Sequence, residues 1–171
     1  MLSKKMLGLL NKQIETEANA SSVYLSMASW VECQGFEGCA TFMYGHSDEE
    51  RVHMLKLLRY VNERGGHGLS PAIKAPKERY KSLGEIFEML LEHEIKVSLE
   101  INKIVDAALS EKDFATHNFL QWYVQEQMEE ERLARTVLDK FKLIGGDKGG
   151  LYMLDRELAQ LSNSAGKGSG H

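Results

Sequence analysis

The chain has only two prolines, Pro71 and Pro76, both in one short stretch. The sequence on either side can therefore run as long helices, since proline in a helix interior costs about 3 kcal/mol. Its two cysteines, Cys33 and Cys39, are too few for a disulfide framework. Their C-x5-C spacing suits neither a zinc knuckle nor a thioredoxin-type pair, so both are expected as reduced thiols in a cytoplasmic protein. No apolar run approaches the ~20 residues of a membrane span, and Met6–Leu10 is too short for a signal sequence. A basic excess is also lacking. The net charge of −4 and pI near 5.9 weigh against nucleic acid as a partner and suit a protein that attracts cations. What remains is a globular composition in 171 residues, enough for one domain with a sizeable core.

Four long segments carry apolar residues at the helical period. The first, Ser3–Cys33, aligns Leu7, Leu10, Ile14, Ala18, Ser21, Leu25 and Ala28, with Ser3 as N-cap and Gly35 as its end. The second, Phe36–Arg64, carries Phe42, Val52, Leu55, Leu58 and Val61 and stops at Gly65-Gly66. The third, Leu83–Leu109, has Ile86, Leu90, Val97, Ile101, Ile104 and Ala108, with Ser82 and Glu85 spaced as a capping box. The fourth, Phe114–Ile144, turns Tyr123, Val124, Leu133, Val137 and Phe141 inward. A fifth helix, Leu151–Leu161, is too short to stand alone and must dock through Leu151, Leu154, Leu158 and Leu161. Turns at Gly35 and Asp113 make two antiparallel hairpins, and the loop between them is long enough to cross the bundle. The expected fold is all-α: a four-helix bundle with one long crossover and a short C-terminal helix, one domain over 1–161, with a disordered polar tail over 162–171.

Within these segments acidic residues recur at matched intervals. Glu17 precedes Glu50 by 33 residues, and Glu94 precedes Gln127 by 33. Glu50 is followed at i+3 by His53, and Gln127 by Glu130, so each pair shares a helix face. A Glu on each of two helices, with Glu-x-x-His on the other two, is the ligand pattern of a di-iron carboxylate bundle. Here one Glu-x-x-His is intact and the other reads Gln-x-x-Glu. Acids aimed into a core without a counter-charge are costly, so the pattern asks for a metal. A mixed imidazole and carboxylate shell suits iron and leaves positions open for dioxygen. Glu17 and His53 would hold one iron, Glu94 the other, and Glu50 would bridge. Tyr24, two turns from Glu17, can hydrogen-bond a ligand or give an electron. Glu49, Glu126, Glu129 and Glu130 can hold a third, looser metal. Any one of these acids alone is as well explained as a solvated helix residue; only the matched set points to metal. His46 lies one turn before Glu50, close enough to compete as a ligand, but stands outside the expected set. His93 points about 100° from Glu94 on its helix and is expected at the surface.

The chain resembles the bacterial non-haem ferritins over nearly its whole length. The resemblance rests on F-E-G at Phe36–Gly38, E-E-R-V-H at Glu49–His53 and N-F-L-Q-W-Y-V at Asn118–Val124. It continues through E-Q-M-E-E-E at Glu126–Glu131 and G-L-Y-M-L-D at Gly150–Asp155. It implies a ferritin-like fold and a ferroxidase centre of Glu17, Glu50, His53, Glu94 and Gln127. Glu130 would stand between the second iron and a third, held also by Glu49, Glu126 and Glu129. It further implies ferrous iron and dioxygen as substrates and a hollow homo-oligomer of 24 subunits that stores ferric mineral, its fifth helices lining the four-fold axes. Some positions depart from relatives. Val52 stands where bacterioferritin has its haem-binding methionine, so no haem is expected. His117 and Leu120 stand where animal ferritins line their three-fold channels with acids. Of the inner-surface acids only Glu49 is kept, beside Val52 and Leu55. A di-iron oxygenase with an organic substrate and a metal-free helical scaffold are the two rival readings.

Overall fold

The computed structural model describes residues 1–165, the last four by backbone only. Five helices follow in order: α1 (Lys4–Cys33), α2 (Glu37–Glu63), α3 (Leu83–Ser110), α4 (Phe114–Ile144) and α5 (Lys148–Ala165). Among the described residues there is no strand. Short polar side chains start the helices as expected. The Ser3 hydroxyl accepts from the Met6 N–H at 3.0 Å, Ser82 from Glu85 at 3.2 Å, and Asp113 from Thr116 at 3.1 Å. Glu85 reaches back one residue further than a capping box, accepting from the Lys81 N–H at 2.5 Å.

The first four helices lie within two residues of the expected bounds, but α5 is longer at both ends. Its N-terminus begins at Lys148 because Asp147 caps it, accepting the Gly150 N–H at 2.5 Å, which admits the glycine pair into the first turn. Its C-terminus runs to Ala165, past Leu161, because Ser-Asn-Ser-Ala holds no helix breaker. The rest of the expected tail, 166–171, lies outside the described residues.

Gly35, with φ 87°, turns α1 into α2; at the α3–α4 turn the left-handed position is taken by Lys112, with φ 57°. The crossover is pinned along α1. Asn11 donates to the His67 carbonyl and accepts from the Leu69 N–H, Asn19 accepts from Lys74, and Ser26 donates to the Lys77 carbonyl. These anchors climb from residue 11 to residue 26 of α1, so the loop scales roughly 22 Å of helix at 1.5 Å per residue. Helix α3 therefore starts at the same end as α2 and runs parallel to it.

Two apolar clusters fill the bundle. One holds Tyr24, Met27, Phe42, Met43, Phe87 and Leu90 with others; the second holds Leu10, Ile14, Leu57, Val97, Ile101 and Tyr123. On every bundle helix the chain passes from one cluster to the other through a single polar level. That level comprises Glu17 between Ile14 and Tyr24, Glu50 between Met43 and Leu57, Glu94 between Leu90 and Val97, and Gln127 between Tyr123 and Ala134. Two residues expected in the core are outside it: Leu25 is 52% and Val52 58% exposed. Each is turned about 100° from a buried neighbour, Tyr24 or His53. Leu120 is fully buried in the second cluster, and His117 is half-buried.

The leucine stripe of α5 is largely used within the chain itself. Leu154 and Leu158 are buried in the first cluster, while Leu161 is at the edge of exposure. Docking is specified by contact as well as by apolar area. The start of α2 has no cap from its own Phe36, and Asp155 of α5 supplies one by accepting the Cys39 N–H at 2.8 Å. A Cβ at Gly38 would lie 1.8 Å from the Asp155 carbonyl oxygen, so only glycine permits this approach. Gly38→Ala is thus expected to displace α5. Asp155→Ala should weaken docking less, by about 1 kcal/mol for a lost cap. Limited proteolysis after Ile144 reads both, and equal resistance in Gly38→Ala and the wild-type chain would contradict the packing.

At the other end, a polar knot joins the end of α2 to the start of α4. Arg64 donates to Asp113 at 3.0 Å and to the Tyr60 hydroxyl, and Thr116 donates to Asp113 at 2.6 Å. Burial opposes the Asp113 charge, but Thr116 and the Arg64 guanidinium overcome it and hold the carboxyl below its usual range. A lowered carboxyl stabilises above its unfolded value near 3.9 and loses that contribution as pH falls through the folded value. Asp113→Ala should cost about 2 kcal/mol at neutral pH, from cap and ion pair together. The thermal midpoint by circular dichroism would fall, and the gap from wild type should close in strong acid.

Candidate metal centre

The polar level brings the expected ligands together at the middle of the bundle. Glu17 is 0% and Glu94 1% exposed, and Glu50, His53 and Gln127 are also buried. Ligand atoms of Glu17, Glu50 and His53 lie within 4.8 Å of one another, and so do those of Glu50, His93 and Glu94. An ion with bonds of about 2.0–2.3 Å sets its ligands roughly 3–4.5 Å apart, so both groups match the scale of one cation each. Glu50 belongs to both groups, the position of a bridge.

The two halves differ. Glu17 accepts a short hydrogen bond from the Gln13 amide through one oxygen, and its Oε2 has no partner. The nearby Tyr123 hydroxyl also makes no hydrogen bond. His53 Nδ1 is 3.2 Å from Glu50 Oε2. Burial, then the charge of Glu50, raises Glu17 well above the ordinary carboxylate range, and burial raises Glu50 too. On the other half Glu94 is fully engaged. Tyr24 donates to its Oε1 at 2.5 Å, and the Gln127 amide donates to its Oε2 at 3.1 Å and its backbone carbonyl at 3.2 Å. Burial opposes the Glu94 charge, but His93, Tyr24 and Gln127 together hold it below its usual range.

His93 is not a free surface residue. It is half-buried, with Nδ1 2.8 Å from the Tyr24 hydroxyl. The backbone direction does turn away from Glu94, but the imidazole is long enough to reach back across to α1. Gln13 was not singled out from sequence; its signal is the i−4 spacing to Glu17.

The four acids expected around a third metal are not gathered into one group. Glu129 is exposed and accepts from Gln125 at 2.9 Å, and Glu126 lies 3.8 Å from His53 Nε2. Glu49 and Glu130 instead meet His46, which sequence placed outside the set. Burial opposes a charge on His46, yet the Glu130 carboxylate raises it to about 9.

Chemically, the centre fits cations. Among the described residues, the ion-pair partners of Glu50 and Glu94 are only His53 and His93. Glu17 has none, and an unpartnered buried oxygen on it asks for a proton or a metal.

The Ferritin-like domain family matches residues 7–144, the span that carries the whole polar level. The chain is 46% identical over 165 residues to a probable bacterial non-heme ferritin-like protein of Haemophilus influenzae, covering 96% of this chain and 100% of that one. It is 43% identical over 167 residues to a bacterial non-heme ferritin of Campylobacter jejuni, covering 98% and 100%. Among solved structures, an open pore ferritin from the archaeon Archaeoglobus fulgidus superimposes with a TM-score of 0.91 at 43% identity, over 93% of this chain and 98% of that one. A crossed four-helix bundle, a mid-bundle level of buried acids, and likeness along nearly the full length agree: the chain belongs to the ferritin family.

Proposed function

We infer that this protein stores iron and oxidises it on entry, with ferrous iron and dioxygen as substrates. The observation that carries the reading is the unpartnered, buried acid level at mid-bundle, in a chain of this family. Glu17 and His53 hold one ferrous ion, Glu94 and Glu130 the other, and Glu50 joins them. Gln127 orients Glu94 through its amide and leaves the site one negative charge short of a glutamate. This lowers its hold on ferric iron and favours release. Net, ferrous iron, dioxygen and water give ferric oxyhydroxide and protons. The chain's own contribution is to fix the ligands in place and exclude bulk water through the apolar clusters on either side. Val52 in place of a methionine supports a haem-free protein. Two clefts of about 570 and 440 Å³ open elsewhere and contain none of the acids or histidines of the centre, so they lend no support to an oxygenase with an organic substrate.

His53→Ala should reduce the initial rate of ferrous oxidation at least about tenfold, because a lost ligand disturbs both affinity and geometry. Helix content should hardly change. Stopped-flow absorbance under air measures the rate, and an unaltered rate removes His53 from the centre.

The assembly we infer is a hollow homo-oligomer of 24 subunits in the cytoplasm. Among the described residues no helix is long and apolar enough to cross a membrane. Leu25, Val52, Leu99 and Met128 are all more than half exposed on the single chain, apolar surface that an assembly would cover. Sedimentation should show one large particle of that size. A monodisperse monomer at micromolar concentration would remove the shell.

A further inference from the structure

Gln13 is 2% exposed, although glutamine is ordinarily a surface residue. It stands on α1 one turn before Glu17, on the stretch where Leu10 and Ile14 belong to the second apolar cluster. An apolar side chain would fill this place as well, so the amide is there for its hydrogen bond. Gln13 Nε2 donates to Glu17 Oε1. A carboxylate only accepts, so the nitrogen of the amide must be the atom that faces it. Residues four apart share a helix face, and no other element is needed to set this contact. Glu17 Oε2 is shut off from solvent and makes no hydrogen bond. The two oxygens of Glu17 are thus unequal, one tied to its own helix and one free. Glu94 differs, because both of its oxygens accept hydrogen bonds. A carboxylate binds a cation through one oxygen or chelates it through both. To chelate, Glu17 must turn Oε1 away from Gln13 and break a hydrogen bond where solvent cannot replace it.

We propose that Gln13 is a positioning residue that keeps Glu17 a one-oxygen ligand, bound through Oε2 alone, and so leaves its ion a coordination position open for a reactant. The proposal deepens the iron-oxidising reading and rests on it for what the open position serves. Glu17, Glu50 and His53 then give one atom each, and their ligand atoms already lie within 4.8 Å of one another. Three protein ligands and an open place are the arrangement of a reactive metal site, whereas a fourth protein atom closes it. A chelating Glu17 would supply that fourth atom.

Zinc, which is not oxidised, is the probe. Crystals of the assembled wild-type protein equilibrated with zinc should show one Glu17 oxygen about 2.0–2.2 Å from the ion, with the other still on Gln13. Gln13→Met keeps the length and volume of the side chain but removes the donor. In that variant both Glu17 oxygens should bind the ion. Titration calorimetry should show zinc affinity kept or increased, while the initial rate of ferrous oxidation in stopped flow falls at least about tenfold. Tyr123→Phe, which removes the other hydroxyl beside Glu17, should leave the one-oxygen mode intact. Chelation by Glu17 in the wild-type crystal overturns the proposal, and that readout decides even if Gln13→Met fails to fold. One-oxygen binding retained in Gln13→Met overturns it too, as does chelation appearing in Tyr123→Phe. Affinity and rate lost together would make Gln13 a packing residue only. An unchanged rate with both oxygens bound would remove the role of the open position. Zinc absent from Glu17, Glu50 and His53 altogether would overturn the functional reading, whereas zinc bound there in the wrong mode overturns this proposal alone.

Discussion

Everything in this molecule is arranged around three carboxylates buried at one height, with no lysine or arginine among the described residues paired to them. An unpaired buried charge costs several kcal/mol even after relaxation. The fold sustains the cost by sandwiching the acid level between two apolar clusters. Each fully buried large apolar side chain there contributes about 1.5–3 kcal/mol. This is why the helices must be long. A bundle of ordinary length, about 11–12 residues per helix, would have no room for a polar level with apolar packing on both sides. The length in turn demands a loop that scales the bundle, and the asparagines and serine along α1 hold that loop to its course.

Much of this was legible because the relevant physics is local. Gly35, Gly65-Gly66, Ser82 and Asp113 mark helix ends by their own backbone and capping chemistry, and four helices fall almost where those residues put them. The acids were legible for a related reason. Two hairpins with short turns bring residues 33 apart to one height, so equal spacing in sequence becomes a level in space. Legibility stopped where side-chain length or tertiary contact decides. His93 leaves its helix in the wrong direction, and only the reach of its ring brings it to Tyr24. His46 gains its role from Glu130, a residue 84 positions away. Leu25 and Val52 read as core by composition but sit one residue off the buried face. The start of α5 depends on the Asp147 cap, and its docking depends on the absence of a side chain at Gly38.

The centre is also not symmetric, and the asymmetry follows from which partners each acid has. Glu94 has its oxygens satisfied by Tyr24 and Gln127 and keeps its charge below the usual range. Glu17 has one oxygen unsatisfied and takes up a proton well above that range. A cation arriving at Glu17 meets an oxygen with no hydrogen bond to give up. At Glu94 it must instead compete with hydrogen bonds already made, each worth about 1 kcal/mol or more when the acceptor is charged. The difference between the two halves thus lies in the hydrogen-bonding neighbours of each acid. Tyr24 is central to this difference. Its hydroxyl ties Glu94 to the half-buried His93 on α3 and anchors both to α1.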